Sequence, residues 1–358
     1  MDMKPNSGMS HNGTGMRWQP ILILSTVLIG LFILDLLLGS VKIPIAEVFN
    51  TLLGNANSNE AWSAIILKIR LPRAITAILA GAALSIGGLQ MQTLFRNPLA
   101  GPSILGITAG SSLGVAAVML VAGSATTAFT IRQLGLGGSW LIIIAATIGA
   151  ALVLLLILGI SFKIRDNVVM LIVGIMVANI TIAIVSIWQY FSDPEQMQEY
   201  ILWTFGSLGG VTNEQLKILS LIVGIGIVST FFLSKTLNAL LLGENYAQSM
   251  GLNIRRSRIL IIIVTSLLAG SITGFCGPIG FVGIAVPHLT RSFLNTSDHK
   301  ALIPNCVLIG ASLMLLCDII SQVPGSQTVL PINAITAMIG SPIVIWIIVK
   351  RRNLKASF

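Results

Sequence analysis

Four groups of residues in this chain could do chemistry. RLPR at 70–73 sets two guanidinium groups, Arg70 and Arg73, just outside a long apolar run. Guanidinium groups in such a place suit gripping carboxylates; an interfacial pair snorkelling to water is the plain alternative. Asp318 stands in the apolar stretch LMLLCDIISQ, with no second acid or His at helical spacing beside it. A carboxylate at mid-membrane depth costs about 2.5–3.5 kcal/mol on insertion scales and normally faces a partner in the bundle interior. A proton or ion relay and a structural hydrogen-bonding role both fit it. Gly106, Gly110 and Gly114 form GxxxGxxxG, echoed by Gly81 with Ser85 and by Gly270 with Gly274. Such faces let helices approach closely, for packing or to line a path. The fourth group is LNALLLGENYAQSMGLNIRRSR, 237–258, amphipathic with Glu244 and a basic cluster; Leu240, Leu241, Ala247 and Met250 make a candidate apolar strip and Gly251 a helix stop.

Other chemistry lacks a constellation. There is no GxxxxGK[ST], HExxH or GxSxG, and no pair of acids placed for hydrolysis. Cys276, Cys306 and Cys317 lie in or beside apolar runs without metal-ligand spacing and read as small buried hydrophobes. His288, after Pro287, reads as a hydrogen-bonded capping group, and Asp35, near the end of its span, as interfacial.

The elements that position these residues follow from composition. Of 358 residues 54% are hydrophobic and 9% charged, with mean hydropathy +0.92. Soluble domains carry about 25% charged residues, and a soluble fold of this composition would expose large apolar patches. The basic residues behind the net charge of +9 sit between apolar runs and form no nucleic-acid face. A membrane helix needs roughly 20 apolar residues. Ten candidates meet that pattern, at 19–39, 73–95, 103–122, 138–161, 167–191, 213–234, 257–276, 279–294, 301–323 and 331–350. The first reads as an uncleaved span, too long for a signal peptide. The eighth, within GFCGPIGFVGIAVP at 274–287, is broken by glycines and by Pro278 and Pro287. Membranes tolerate such a break only where protein or a watery cavity satisfies the freed backbone, so it is a re-entrant turn or a path lining.

The expected class is therefore an all-α polytopic membrane protein of about ten transmembrane helices. Residues 1–18 read as a disordered cytoplasmic tail and 19–352 as one membrane domain. With both termini inside, fifteen basic residues fall in inner segments and six in outer ones, so the positive-inside rule favours N-in and C-in. No loop could hold a folded domain, so any energy source or capture domain belongs to other chains.

The order and spacing of RLPR (70–73), LAGAALSIGGLQMQ (79–92), RNPLAGPSILGITAG (96–110), LLLGENYAQSMGL (240–252), GPIGFVGIAVPHLTR (277–291), Asp-His-Lys (298–300) and LPINAITAMIGSPIVIWII (330–348) resemble the FecCD-type permease subunits of ATP-binding-cassette importers for ferric siderophores, haem and cobalamin. The resemblance implies a bacterial inner-membrane homodimer that moves substrate along the dimer interface by alternating access. Its partners would be two ATP-binding subunits and one extracytoplasmic solute-binding protein, with the bilayer around it and no nucleic acid. The chain would do no catalysis and hold no cofactor, ATP being bound by the partner. On the family's pattern Leu242, Gly243, Glu244, Ala247, Gly251 and Leu252 would engage the ATPase, and Arg70 and Arg73 the binding protein. Gate positions would fall at Thr108, Ala109, Gly110, Ser111, Asn167 and Val168. Two departures, Gln322 where some relatives carry a third outer arginine and Leu330 where a Glu is usual, imply a less charged docking face. An ion- or proton-coupled secondary transporter using Asp318 is the competing reading.

Overall fold

The computed structural model describes residues 18–39, 41, 43–54, 60–121, 138–161, 163, 166–323 and 328–350. The expected tail, apart from Trp18, lies outside them. The described residues form helices: α1 (Trp18–Leu37), α2 (Ile45–Leu52), α3 (Glu60–Leu94), α4 (Ile107–Val121), α5 (Gly138–Ser161), α6 (Asn167–Phe191), α7 (Pro194–Thr204), α8 (Asn213–Phe232), α9 (Ser234–Leu241), α10 (Glu244–Ser249), α11 (Ile254–Cys276), α12 (Val282–Leu294), α13 (His299–Ser321) and α14 (Ile332–Lys350). Seven of these, α1, α3, α5, α6, α8, α11 and α13, are long and apolar enough to cross a membrane. The fold is all-α, as composition predicts.

Three expected spans differ in form. The run 73–95 belongs to the longer α3, which begins at Glu60 and passes through a π-helical turn at Ile66–Arg70. The run 103–122 opens with a 3₁₀ turn at Pro102–Leu105, ended by Gly106 at φ +74, so helix proper starts at Ile107. The run 279–294 is reduced to α12, 13 residues. At 1.5 Å per residue that is about 20 Å, short of a bilayer core of about 30 Å.

The break before α12 is a turn satisfied by protein. Gly277 takes φ +75, the Ser207 amide donates to the Cys276 carbonyl at 2.7 Å, and the Gly280 amide donates to Asn333 Oδ1 at 3.0 Å. Phe281 enters α12 at φ +66, a conformation costly for an aromatic residue and held here by packing against Gly340. The freed backbone of the break is thus satisfied by protein, as a membrane requires.

α3 is the centre of the bundle: 83% of its most apolar window is buried. Lipid supplies no hydrophobic drive between helices, so contact depends on close approach of backbones and on polar links. Gly81 lies against Gly310 of α13, where an added Cβ would stand 2.1 Å from the Gly310 carbonyl oxygen, and Gly88 lies as closely on Gly283 of α12. Between these levels Ser85 Oγ donates to the Cys306 carbonyl at 2.9 Å. Gln90 reaches two further helices, donating to Thr230 of α8 and accepting from Thr265 of α11.

The GxxxG face of α4 has a packing role. Gly110 abuts Gly149 and Val153, and Gly114 abuts Ala145, all on α5. Gly274 faces the same helix near Thr147.

Close approach makes a sharp prediction. At Gly310 a Cβ would stand 2.4 Å from the Gly81 carbonyl oxygen, whereas around Gly30 of α1 nothing lies within 4 Å. Gly310→Val should cost at least about 1–3 kcal/mol by overpacking and lower the melting temperature of the detergent-solubilised protein. Gly30→Ala should leave it unchanged or raise it, by up to about 1 kcal/mol of helix propensity.

Candidate functional site

Two polar clusters lie at different levels of α3, one at Arg73 and one beside its C-terminal end. The first gathers the carboxylate-binding candidates. Arg73 Nε donates to both oxygens of Asp318 at 2.9 Å, and Nη2 donates to Oδ1 at 2.7 Å and to Ser321 Oγ at 3.0 Å. Gln322 Nε2 donates to Asp318 Oδ2 and to Asp35 Oδ1, each at 3.0 Å. Asp318 is fully buried, and Arg73 keeps 15% side-chain exposure. Arg70 is 6% exposed. Its Nη1 donates to the carbonyls of Leu36 (2.7 Å) and Leu37 (3.0 Å), and its Nη2 to that of Val41.

This arrangement bears on three of the residues picked out in the sequence. Arg70 is a buried cap on the end of α1, donating to the carbonyls of Leu36 and Leu37 in its last turn and of Val41 beyond it, so its guanidinium is not exposed for docking. Arg73 is held by Asp318 from a helix 245 residues away, a bond no local spacing foretells. Asp35 is buried at 2% exposure rather than interfacial, because α1 ends against this cluster. For Asp318 the structural role fits: both oxygens accept from Arg73, and each has a further donor. The Gln322 departure also acquires a use, since an amide NH₂ can donate once to each of two acids.

The second cluster surrounds the expected coupling segment. α9 and α10 are joined through Leu242 and Gly243, the latter at φ +111, and α10 is followed by Gly251 at φ +84. These left-handed turns suit glycine and fold the segment into a compact helical corner. Ala247 is fully buried and packs with Leu237, Leu240 and Ile261. Glu244 is ion-paired with Arg258 of α11 at 3.0 Å. Leu242 (63%), Tyr246 (53%) and Met250 (60%) are exposed. The expected strip therefore divides: Leu240 and Ala247 anchor the corner, while Met250 projects with Leu242 and Tyr246, residues whose outward side the sequence pattern did not single out. His288 Nε2 bonds the Pro98 carbonyl at 2.8 Å, as a capping role requires.

Of the gate candidates, Gly110 and Ser111 are buried and Thr108 and Ala109 half-buried on α4. Asn167 opens α6 after Asp166, which caps it by accepting from the amides of Val168 and Val169. Val168 is 65% exposed. α6 adjoins the start of α4, with Gly174 against the carbonyl of Ile104, so the two groups sit on neighbouring elements.

Breaking a buried ion pair costs about 3–5 kcal/mol because one charge is left unpaired. The residual exposure of Arg73 places Asp318→Leu near the lower bound, and thermal denaturation in detergent should register it. The double change Arg73→Leu with Asp318→Leu should lose less stability than Asp318→Leu alone; equal or greater loss would discount the clamp.

The family model described as the FecCD transport family matches residues 27–350. The hemin transport system permease protein HmuU of Yersinia pestis is 32% identical over 341 residues, 95% of this chain and 99% of its own. The vitamin B12 import system permease protein BtuC of Klebsiella pneumoniae is 33% identical over 288 residues, 80% of this chain and 83% of its own. A solved structure described as an inward-facing conformation of a metal-chelate type ABC transporter superposes with TM-score 0.80 at 27% identity, covering 93% of this chain and 99% of that one. This multi-pass membrane protein belongs to the FecCD transport family.

Proposed function

We propose that the chain is the permease of an ATP-driven importer for a large metal chelate or cobalamin, with a ferric siderophore as first candidate and haem next. It works as a homodimer in a bacterial inner membrane, with two ATPase subunits on the Thr93 side and one solute-binding protein on the Arg73 side. Both termini are then cytoplasmic, which is the orientation the basic residues favour. The observation that carries the reading is the corner at 242–252: a short helix on two glycine turns that offers Leu242, Tyr246 and Met250 to the side where the ATPase would sit. An apolar aromatic knob of this kind fits a groove in a partner, with the surrounding residues excluding water. At the other end Arg73 is the member of the expected docking pair that retains exposure. A binding protein meeting it gains orientation more than affinity, since its acids compete with Asp318. Transport follows as alternating access, ATP binding at the partner driving the corner and the corner driving the helices.

The test is co-purification and uptake. The permease should bring down its ATPase subunit. Proteoliposomes holding both, with the binding protein, should accumulate one of radiolabelled ferrichrome, haem or cyanocobalamin only when ATP is supplied. Tyr246→Arg with Met250→Glu should cut ATPase recovery at least about tenfold, a loss of 1.4 kcal/mol or more, without changing the melting temperature. ATP-independent uptake, or full ATPase recovery by that variant, would falsify the reading.

A further inference from the structure

Below the corner, a chain of hydrogen bonds ties three elements together. The Asp298 carboxylate, which caps α13, accepts from Asn238 Nδ2 of α9 at 2.7 Å. That bond fixes the amide orientation, so Asn238 Oδ1 is the acceptor. It receives the His299 backbone amide at 2.8 Å and His299 Nδ1 at 2.7 Å. With the proton on Nδ1, the neutral ring offers Nε2 as acceptor. Thr93 Oγ1 of α3 lies 2.9 Å from it. His299 and Thr93 are fully buried.

Two properties separate this chain from a packing contact. Its first member stands in the helix leading directly into the corner, four residues before Leu242, and its last two sit on α13 and α3. Those two helices are fastened along their length by Gly81 on Gly310, by Ser85 on Cys306 and by Arg73 on Asp318. From Thr93 to Arg73 is about 30 Å of helix, so the pair is a stiff strut across the membrane. The second property is that release costs one neutral acceptor only. The Thr93 hydroxyl has one proton and two acceptors, His299 Nε2 and the Leu89 carbonyl at 2.8 Å. It can let go of the ring and remain hydrogen-bonded within α3, so parting leaves a single unpartnered atom, His299 Nε2, at about 1–3 kcal/mol.

We propose that Asn238, His299 and Thr93 are positioning residues forming a movable joint, through which the α9–α10 corner drives the α3–α13 strut during transport. The joint rests on the permease reading above. It holds in one state through the ring, and it opens in the other as Thr93 turns to Leu89.

The test uses the complete complex in proteoliposomes: permease, ATPase subunits and binding protein. The probe is whichever of ferrichrome, haem and cyanocobalamin the wild type accumulates. ATP hydrolysis and uptake are measured together. Thr93→Val, equal in shape but without the hydroxyl, and Asn238→Leu should hydrolyse ATP at close to the wild-type rate, while uptake per ATP falls about tenfold, within the usual range of coupling between two sites. Thr93→Ser, which keeps the hydroxyl, should restore it. Thr93→Val with wild-type uptake per ATP overturns the joint. A Thr93→Val permease that fails to assemble also overturns it, by assigning the hydroxyl to stability alone. Failure of the permease reading is distinct: the wild type itself then recovers no ATPase or shows no ATP-dependent uptake.

Discussion

The contact between α3 and α13 is the constraint on which the rest of this structure depends. In lipid, two apolar helices gain little by meeting, because the surrounding chains are as apolar as leucine. What favours one pairing is the number of atoms brought into close contact and the polar groups satisfied there. Gly81 and Gly310 remove the side chains that would hold the backbones apart. Once they touch, Ser85 reaches the Cys306 carbonyl and Arg73 reaches Asp318. The same logic repeats around α3: Gly88 admits α12, and Gln90 bridges α8 and α11.

Charge in this bundle is spent on its own interior. Arg70 holds the carbonyls where α1 ends, Arg73 neutralises Asp318, and Gln322 is shared by Asp318 and Asp35. A third arginine in place of Gln322 would alter that balance, since two acids are already served by Arg73 and an amide. The neutral residue is therefore part of a consistent set.

Much of this was legible in the residues themselves, and what was not shares a cause. Long apolar runs announce helices because the bilayer demands length and apolarity, and α5, α6, α8, α11 and α13 lie close to where those runs place them. Gly277, Pro278 and Gly280 announced the broken span, since they cannot continue a regular helix. The GxxxG face announced close packing but not its partner, as Gly149 lies in another run. The corner was visible as an amphipathic segment. Which of its apolar residues face outward was not, since Ala247 and Met250 differ in exposure only through the helices beneath them. The pairs Arg73–Asp318, Asp35–Gln322 and Thr93–His299 join positions more than 200 residues apart, and no periodicity carries such information. Asp35 was misplaced for this reason: its position near the end of α1 suggested water, but α13 covers it.

The Arg73 and Thr93 levels of α3 differ in stiffness, and the difference follows from hydrogen-bond arithmetic. At the Arg73 end a fully buried carboxylate has no alternative donor able to replace a guanidinium, so separation there leaves charge uncompensated. At the Thr93 end every link is neutral or shared, and the hydroxyl has a second acceptor within its own helix. On the joint proposed above, a strut fixed at Arg73 and releasable at Thr93 moves as a lever, not as a spring. Small displacements of the corner would then be carried across the membrane with little lost in deformation, because close-packed helices such as α3 and α13 transmit strain instead of absorbing it.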